Sequence, residues 1–261
     1  MKNIFELARL TIKMSLGLTF MIFSIISALF VLSSVMYFTM PQLNRFNLEA
    51  PSVNAAAMGV STINIFLIFF SVFFAFSVLS RQFSRESLLF LLSKPLDRSQ
   101  VLLGSSLGLM FVFLLYWLIL SLEVAAIISI FDKSYLFNAL NALVPVVLLI
   151  PLYTSLCIFL FSLWPNILCA AFVFLFIFTS IARFDIITLV SQVNLAWFTK
   201  LIEASFLLLP PVGQVMGISL KALGLTDASI NIPQVILNSI FIFVFLHLLG
   251  ARRILRAFSN L

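Results

Sequence analysis

Long apolar runs separated by short polar clusters dominate the chain, and their length, more than any periodicity, sets the predicted elements. Crossing a hydrocarbon core in helical form takes roughly 20 apolar residues. Six runs meet that measure, at about 14–38, 60–79, 101–124, 140–164, 166–187 and 233–250. They predict six transmembrane helices. The first run exceeds the roughly 7–15 residues of a cleavable leader's apolar region and is expected to stay in place as a helix. Only Trp164-Pro165-Asn166 separates the fourth run from the fifth, a tight turn whose proline suits the first position of a new helix. Within the fourth run, Pro145 and Pro151 remove backbone donors and predict a bend.

Two further patterns are not spans. At 100° per residue, Lys2, Glu6, Arg9 and Lys13 fall within about 60° of one another, while Ile4, Phe5, Leu7, Ala8 and Ile12 occupy the rest of the wheel. Residues 1–13 are thus expected to form an amphipathic helix in the headgroup layer, either a simple topogenic anchor or a collar against the bundle. Between the fifth and sixth runs, residues 188–232 form the longest connection. It holds the amphipathic stretch TLVSQVNLAWFTKLIE and the segment 206–223, where Pro210-Pro211, Gly213 and Gly217 would break a spanning helix near its start. The latter is expected to dip into the membrane or lie on its surface, and connections this long usually carry function.

Composition fits the same frame. The chain has 261 residues, 63% hydrophobic and 9% charged, with 31 phenylalanines and a mean hydropathy of +1.22. An ordinary soluble domain carries roughly 25% charged residues, so a water-soluble fold is excluded. Cys157 and Cys169 stand alone in apolar runs and have neither disulfide-framework nor metal-ligand spacing. With the N-terminus on the cytoplasmic side, ten lysines and arginines fall inside and five outside, which favours both termini inside. The net charge is then +7 within and −1 without, making up the chain's +6. The basic balance reads as membrane topology and contact with anionic headgroups, with no nucleic-acid partner implied.

One segment fits neither a span nor a soluble loop. SRESLLFLLSKPLDRSQVLLG, residues 84–104, places Arg85, Glu86, Lys94, Asp97 and Arg98 around the apolar run Leu88 to Leu92 and breaks at Pro95. Ser84 can cap a short helix, and Pro95 ends it. A helix of about ten residues that is apolar on most faces must press into the membrane or dock into a partner's groove. It is predicted between spans two and three on the cytoplasmic side.

Arg85-Glu86, then Leu88-Leu89-Phe90-Leu91-Leu92-Ser93-Lys94-Pro95, then Arg98 and Val101-Leu102-Leu103-Gly104, resemble the first cytoplasmic loop of type-2 ABC exporter permeases. The nearest branch is the six-span family that includes the nitrous-oxide-reductase maturation permease. The resemblance extends to the N-terminal amphipathic helix, to Leu208-Leu209-Pro210-Pro211 in the long outer region, and to the basic C-terminal end. Ser87 and Ser105 depart from the family pattern, as does the lack of an acid after the terminal basic residues. The fold implied is an all-α integral membrane domain over 1–261. It has six transmembrane helices, an interfacial N-terminal helix, a cytoplasmic coupling helix at about 84–94 and a helical outer region at 188–232.

The family also implies partners and roles. Arg85, Glu86, Leu88, Leu89, Leu92, Lys94 and Arg98 would dock a separate cytoplasmic ABC ATPase, present in two copies, beside a second copy of the permease. The chain itself shows no G-x-x-x-x-G-K-[ST] phosphate cradle, so ATP and magnesium are expected in the ATPase and no cofactor or metal in this chain. The setting implied is a bacterial inner membrane, with an outer-side accessory protein as a further candidate partner. Asn64, Ser71 and Glu123 are the candidate polar positions of a substrate path or dimer seam, against the plainer readings of helix packing and an interfacial carboxylate. Ionisable groups at depth are too few to suggest an intramembrane enzyme. Transport of an apolar or amphipathic cargo is the leading reading; a scaffold or assembly factor that tethers a cytoplasmic protein is the alternative.

Overall fold

The computed structural model describes residues 2–39, 51–82, 98–163, 211–225 and 231–259, and every element among the described residues is helical. Helix α1 (Lys2–Ser15) meets α2 (Leu18–Thr39) at an elbow on Leu16-Gly17. Helices α3 (Pro51–Gln82) and α4 (Arg98–Phe131) follow. A 3₁₀ turn at Lys133–Tyr135, α5 (Leu136–Leu143), a 3₁₀ link at Val144–Leu148 and α6 (Leu149–Leu163) then form one broken rod. Helices α7 (Val212–Ala222) and α8 (Ile232–Ser259) complete the set. Five stretches are long and apolar enough to cross a membrane: Thr19–Tyr37, Ser52–Gln82, Ser99–Phe131, Lys133–Leu163 and Ile232–Ile254. The chain is a multi-pass membrane protein. These stretches answer to the first four expected spans and the sixth; the fifth, 166–187, lies outside the described residues, as does the segment 83–97.

Helix boundaries differ from the apolar runs for local reasons. Helix α3 begins well before residue 60 because Pro51 is favoured at a first helical position and Ala55-Ala56-Ala57-Met58 are strong helix formers. Helix α4 runs 34 residues, past the expected end near 124, because neither proline nor glycine interrupts Leu109 to Phe131. Asp132 stops it: its backbone turns extended and its carboxylate accepts from the Ser134 amide at 3.1 Å. Pro145 falls in the 3₁₀ link and Pro151 in the first turn of α6, where a missing N–H is tolerated. The expected bend in the fourth span is therefore a short 3₁₀ interruption. Helix α7, within the segment expected to dip or lie flat, has 11 residues, too few to span. It buries Val212, Val215 and Ile218 against the rod of α5 and the 3₁₀ link, and Tyr135 Oη donates to the Leu223 carbonyl at 2.9 Å.

Side-chain pairings fix the directions of the helices. Phe20 and Phe23 of α2 meet Phe70 and Phe74 of α3, and Val35 meets Gly59, so the two helices run antiparallel. Phe70 stacks on Tyr116 of α4 at 3.9 Å between ring centres and packs edge-on to Phe113. Gly59 meets Val124, so α4 is also antiparallel to α3. Helix α6 instead runs parallel to α3, with Tyr153 beside Asn64, Cys157 beside Ser71 and Phe161 beside Phe76. Helix α8 packs on α6 where Gly250 lies against Phe159. Buried hydroxyls are largely satisfied inside their own helices, as in Ser105 Oγ to the Val101 carbonyl and Ser239 Oγ to the Val235 carbonyl, both 2.8 Å.

Candidate functional site

The residues that single out 84–94 in the sequence, Arg85, Glu86, Leu88, Leu89, Leu92 and Lys94, lie outside the described residues. What is described is the pair of roots from which that segment springs. Gln82 closes α3, and Arg98 opens α4. Both roots are gripped by α1.

The grip on α4 works by close approach of backbones. Gly104 and Gly108 stand one turn apart on the first turns of α4, facing α1. A Cβ on Gly104 would lie 2.5 Å from Leu7 Cβ and 3.1 Å from the Ile4 carbonyl oxygen. On Gly108 it would lie 2.5 Å from Thr11 Cβ and 2.8 Å from the Ala8 carbonyl oxygen. No side chain larger than hydrogen fits at either position without moving α1. This is the small-xxx-small solution to helix association in lipid, where the hydrophobic effect gives no drive and contact must come from packing. The pattern G-S-S-L-G was legible in an apolar 20-mer and is the signal that would have found the contact.

The grip on α3 is polar. Gln82 Nε2 donates to Thr11 Oγ1 at 2.6 Å, and Thr11 Oγ1 in turn donates to the Leu7 carbonyl at 3.0 Å. Both residues are buried. Thr11 therefore touches both roots at once: its hydroxyl holds the last turn of α3 and its Cβ rests on Gly108. The wheel of α1 has three faces, where two were expected. Leu7, Thr11 and Ser15 are buried against the bundle, and Glu6, Arg9 and Lys13 are exposed on the polar side. Phe5, 69% exposed, and Leu10 face outward as apolar residues do towards lipid.

The candidate polar positions within the bundle separate into two kinds. Asn64 is buried, and its Oδ1 accepts from Tyr153 Oη at 3.0 Å, joining α3 to α6. Ser71 is buried and donates to the Ile68 carbonyl at 2.9 Å, beside Cys157. Asn64 thus links two helices, and Ser71 is satisfied within its own. Glu123 is half-buried, and its Oε2 is buried with no hydrogen-bond partner in the structure. Two further turns of α4 follow it, so it sits short of the helix end. Neither Asn64 nor Ser71 is hydrogen-bonded to it. At that same end of the bundle, Asp132 is held below the usual carboxylate range by the Ser134 hydroxyl, then by the Ser52 hydroxyl.

No family model matches the chain, and no curated protein matches it.

Proposed function

We propose that this chain is the membrane-spanning permease subunit of an ATP-driven ABC exporter. It pairs with a second copy and docks a separate cytoplasmic ATPase through residues 84–94, to move an apolar or amphipathic substrate across a bacterial inner membrane, both termini facing the cytoplasm. The single observation that carries this reading is the clasp of α1 on Gln82 and on Gly104 and Gly108, which ties both roots of the leucine-rich segment to one rigid element. A segment anchored in this way passes a push or pull at its tip to α3 and α4 together. A loop on loose roots would absorb the motion. In such a docked helix the leucines supply buried contact area, while Arg85, Glu86, Lys94 and Arg98 set orientation and partner choice at the rim.

The test is co-purification with a Walker-motif ATPase expressed alongside the chain. Wild type is expected to retain the ATPase, and Glu86→Lys and Leu89→Asp to lose it while the chain still inserts and folds. Full retention by both variants would remove residues 84–94 from the interface. Retention of a cytoplasmic protein that hydrolyses no ATP would favour the tethering scaffold.

A further inference from the structure

Between the α1–α2 elbow and the last turns of α3 lies a cleft of about 370 Å³, at the small end of the roughly 300–1,000 Å³ usual for ligand sites. Its lining is graded along α3. Phe73, Phe74, Ser77 and Arg81 line it in order towards the end of α3, and Met14, Gly17 and Thr19 line the side of the elbow. Phe73 is 55% exposed, and Ser77, Thr19 and Arg81 are exposed as well. From Phe73 to Arg81 the helix rises about 12 Å, so the apolar and cationic parts are separated by roughly the distance between a headgroup phosphate and the upper acyl chain.

Charge at this end of the bundle favours an anion. Arg9 and Lys13 on α1 and Arg81 on α3 are exposed here, with Arg98 opening α4. Because α6 runs parallel to α3 and Gly250 packs on Phe159, the exposed Arg252 and Arg253 of α8 belong to the same end. Glu6 is the one acid at this end among the described residues.

We propose that this cleft binds one anionic phospholipid, its phosphate at Arg81 with Ser77 offering a hydroxyl, and one acyl chain laid over Phe73 and Phe74. Gly17 at the elbow leaves the mouth open, since a Cβ there would meet nothing within 4 Å. A lipid seated here bridges the α1–α2 elbow to α3 and so stiffens the hinge from which α1 reaches the roots of 83–97. The site depends on neither an ATPase nor a transported cargo.

The experiment measures lipid retained on the full chain in neutral detergent by native mass spectrometry, with phosphatidylglycerol, phosphatidylcholine and inorganic phosphate as probes. Phosphatidylglycerol is expected to be retained about fivefold over phosphatidylcholine, as one well-placed cation near the membrane surface provides. Arg81→Gln should bring the ratio to parity, and Arg81→Lys should keep most of it. Gly17→Leu, whose Cβ would meet nothing within 4 Å, should lower retention of both lipids. Equal retention of the two lipids by wild type would overturn the proposal, as would an undiminished ratio in Arg81→Gln. Displacement of phosphatidylglycerol by millimolar inorganic phosphate would show a free-anion site in its place.

Discussion

The α1–α4 contact and the α2–α3–α4 sector solve the same problem in opposite ways. In the first, two glycines let backbones touch, while one buried hydrogen bond from Gln82 to Thr11 ties the same helix to α3. In the second, Phe20, Phe23, Phe70, Phe74, Phe113 and Tyr116 fill the space between helices with rings, Phe70 stacking on Tyr116 and on Phe74 at 3.9 and 4.1 Å. Ring packing is adaptable, because neighbouring side chains can shift into a gap. Backbone contact is not, because nothing flexible stands between the two helices. The chain therefore has a forgiving core and an exacting clasp, and the clasp lies at the roots of the segment proposed to dock a partner.

Substitutions on either side sharpen the contrast. Gly108→Leu should have the largest effect, about 3 kcal/mol of lost α1 docking, seen as new protease sensitivity in residues 1–15 while the remaining helices stay protected. If α1 stays protected, the backbone contact is not what holds it. Phe70→Ala should cost less, about 2 kcal/mol in a steric-trapping or denaturant assay, because in lipid the transfer part of a cavity's cost is largely absent and only packing is lost. Thr11→Val, which keeps shape and deletes the hydroxyl, should cost about 1 kcal/mol by leaving the Gln82 amide buried without its acceptor, and the loss should show in α1 before the bundle. Tyr153→Phe should cost about 0.6 kcal/mol, the usual size of an interhelical hydrogen bond in a membrane. The smallest effect belongs to Asp132. Its folded carboxyl titrates below its ordinary value, so its contribution is complete above the ordinary aspartate range and fades as pH falls through the folded value. Thermal midpoints should drop on acidification below about pH 4, and Asp132→Asn should flatten that part of the profile.

What the sequence revealed divides along the same line. Apolar run length located the helices at 18–39, 51–82, 98–131, 133–163 and 232–259, because a bilayer imposes a length on whatever crosses it. It did not locate their ends. Those depend on propensity beyond the membrane, as in Ala55-Ala56-Ala57, or on a single capping residue such as Asp132. The charged stripe Glu6, Arg9 and Lys13 was legible from its spacing and is exposed as expected. The buried stripe Leu7, Thr11 and Ser15 on the same helix was not, since two of its three residues are polar and a hydropathy wheel counts them as outward-facing. Asn64 stood out as polar within a span, yet its partner Tyr153 is 89 residues away, and no local pattern joins the two.

ATP hydrolysis by a co-reconstituted ATPase in lipid nanodiscs tests the export reading most directly. Addition of the wild-type chain should raise the rate, and Leu89→Asp and Gly108→Leu should each abolish the rise, the first by removing the docking surface and the second by loosening its roots. An equal rise with all three chains, or none with wild type, would contradict it.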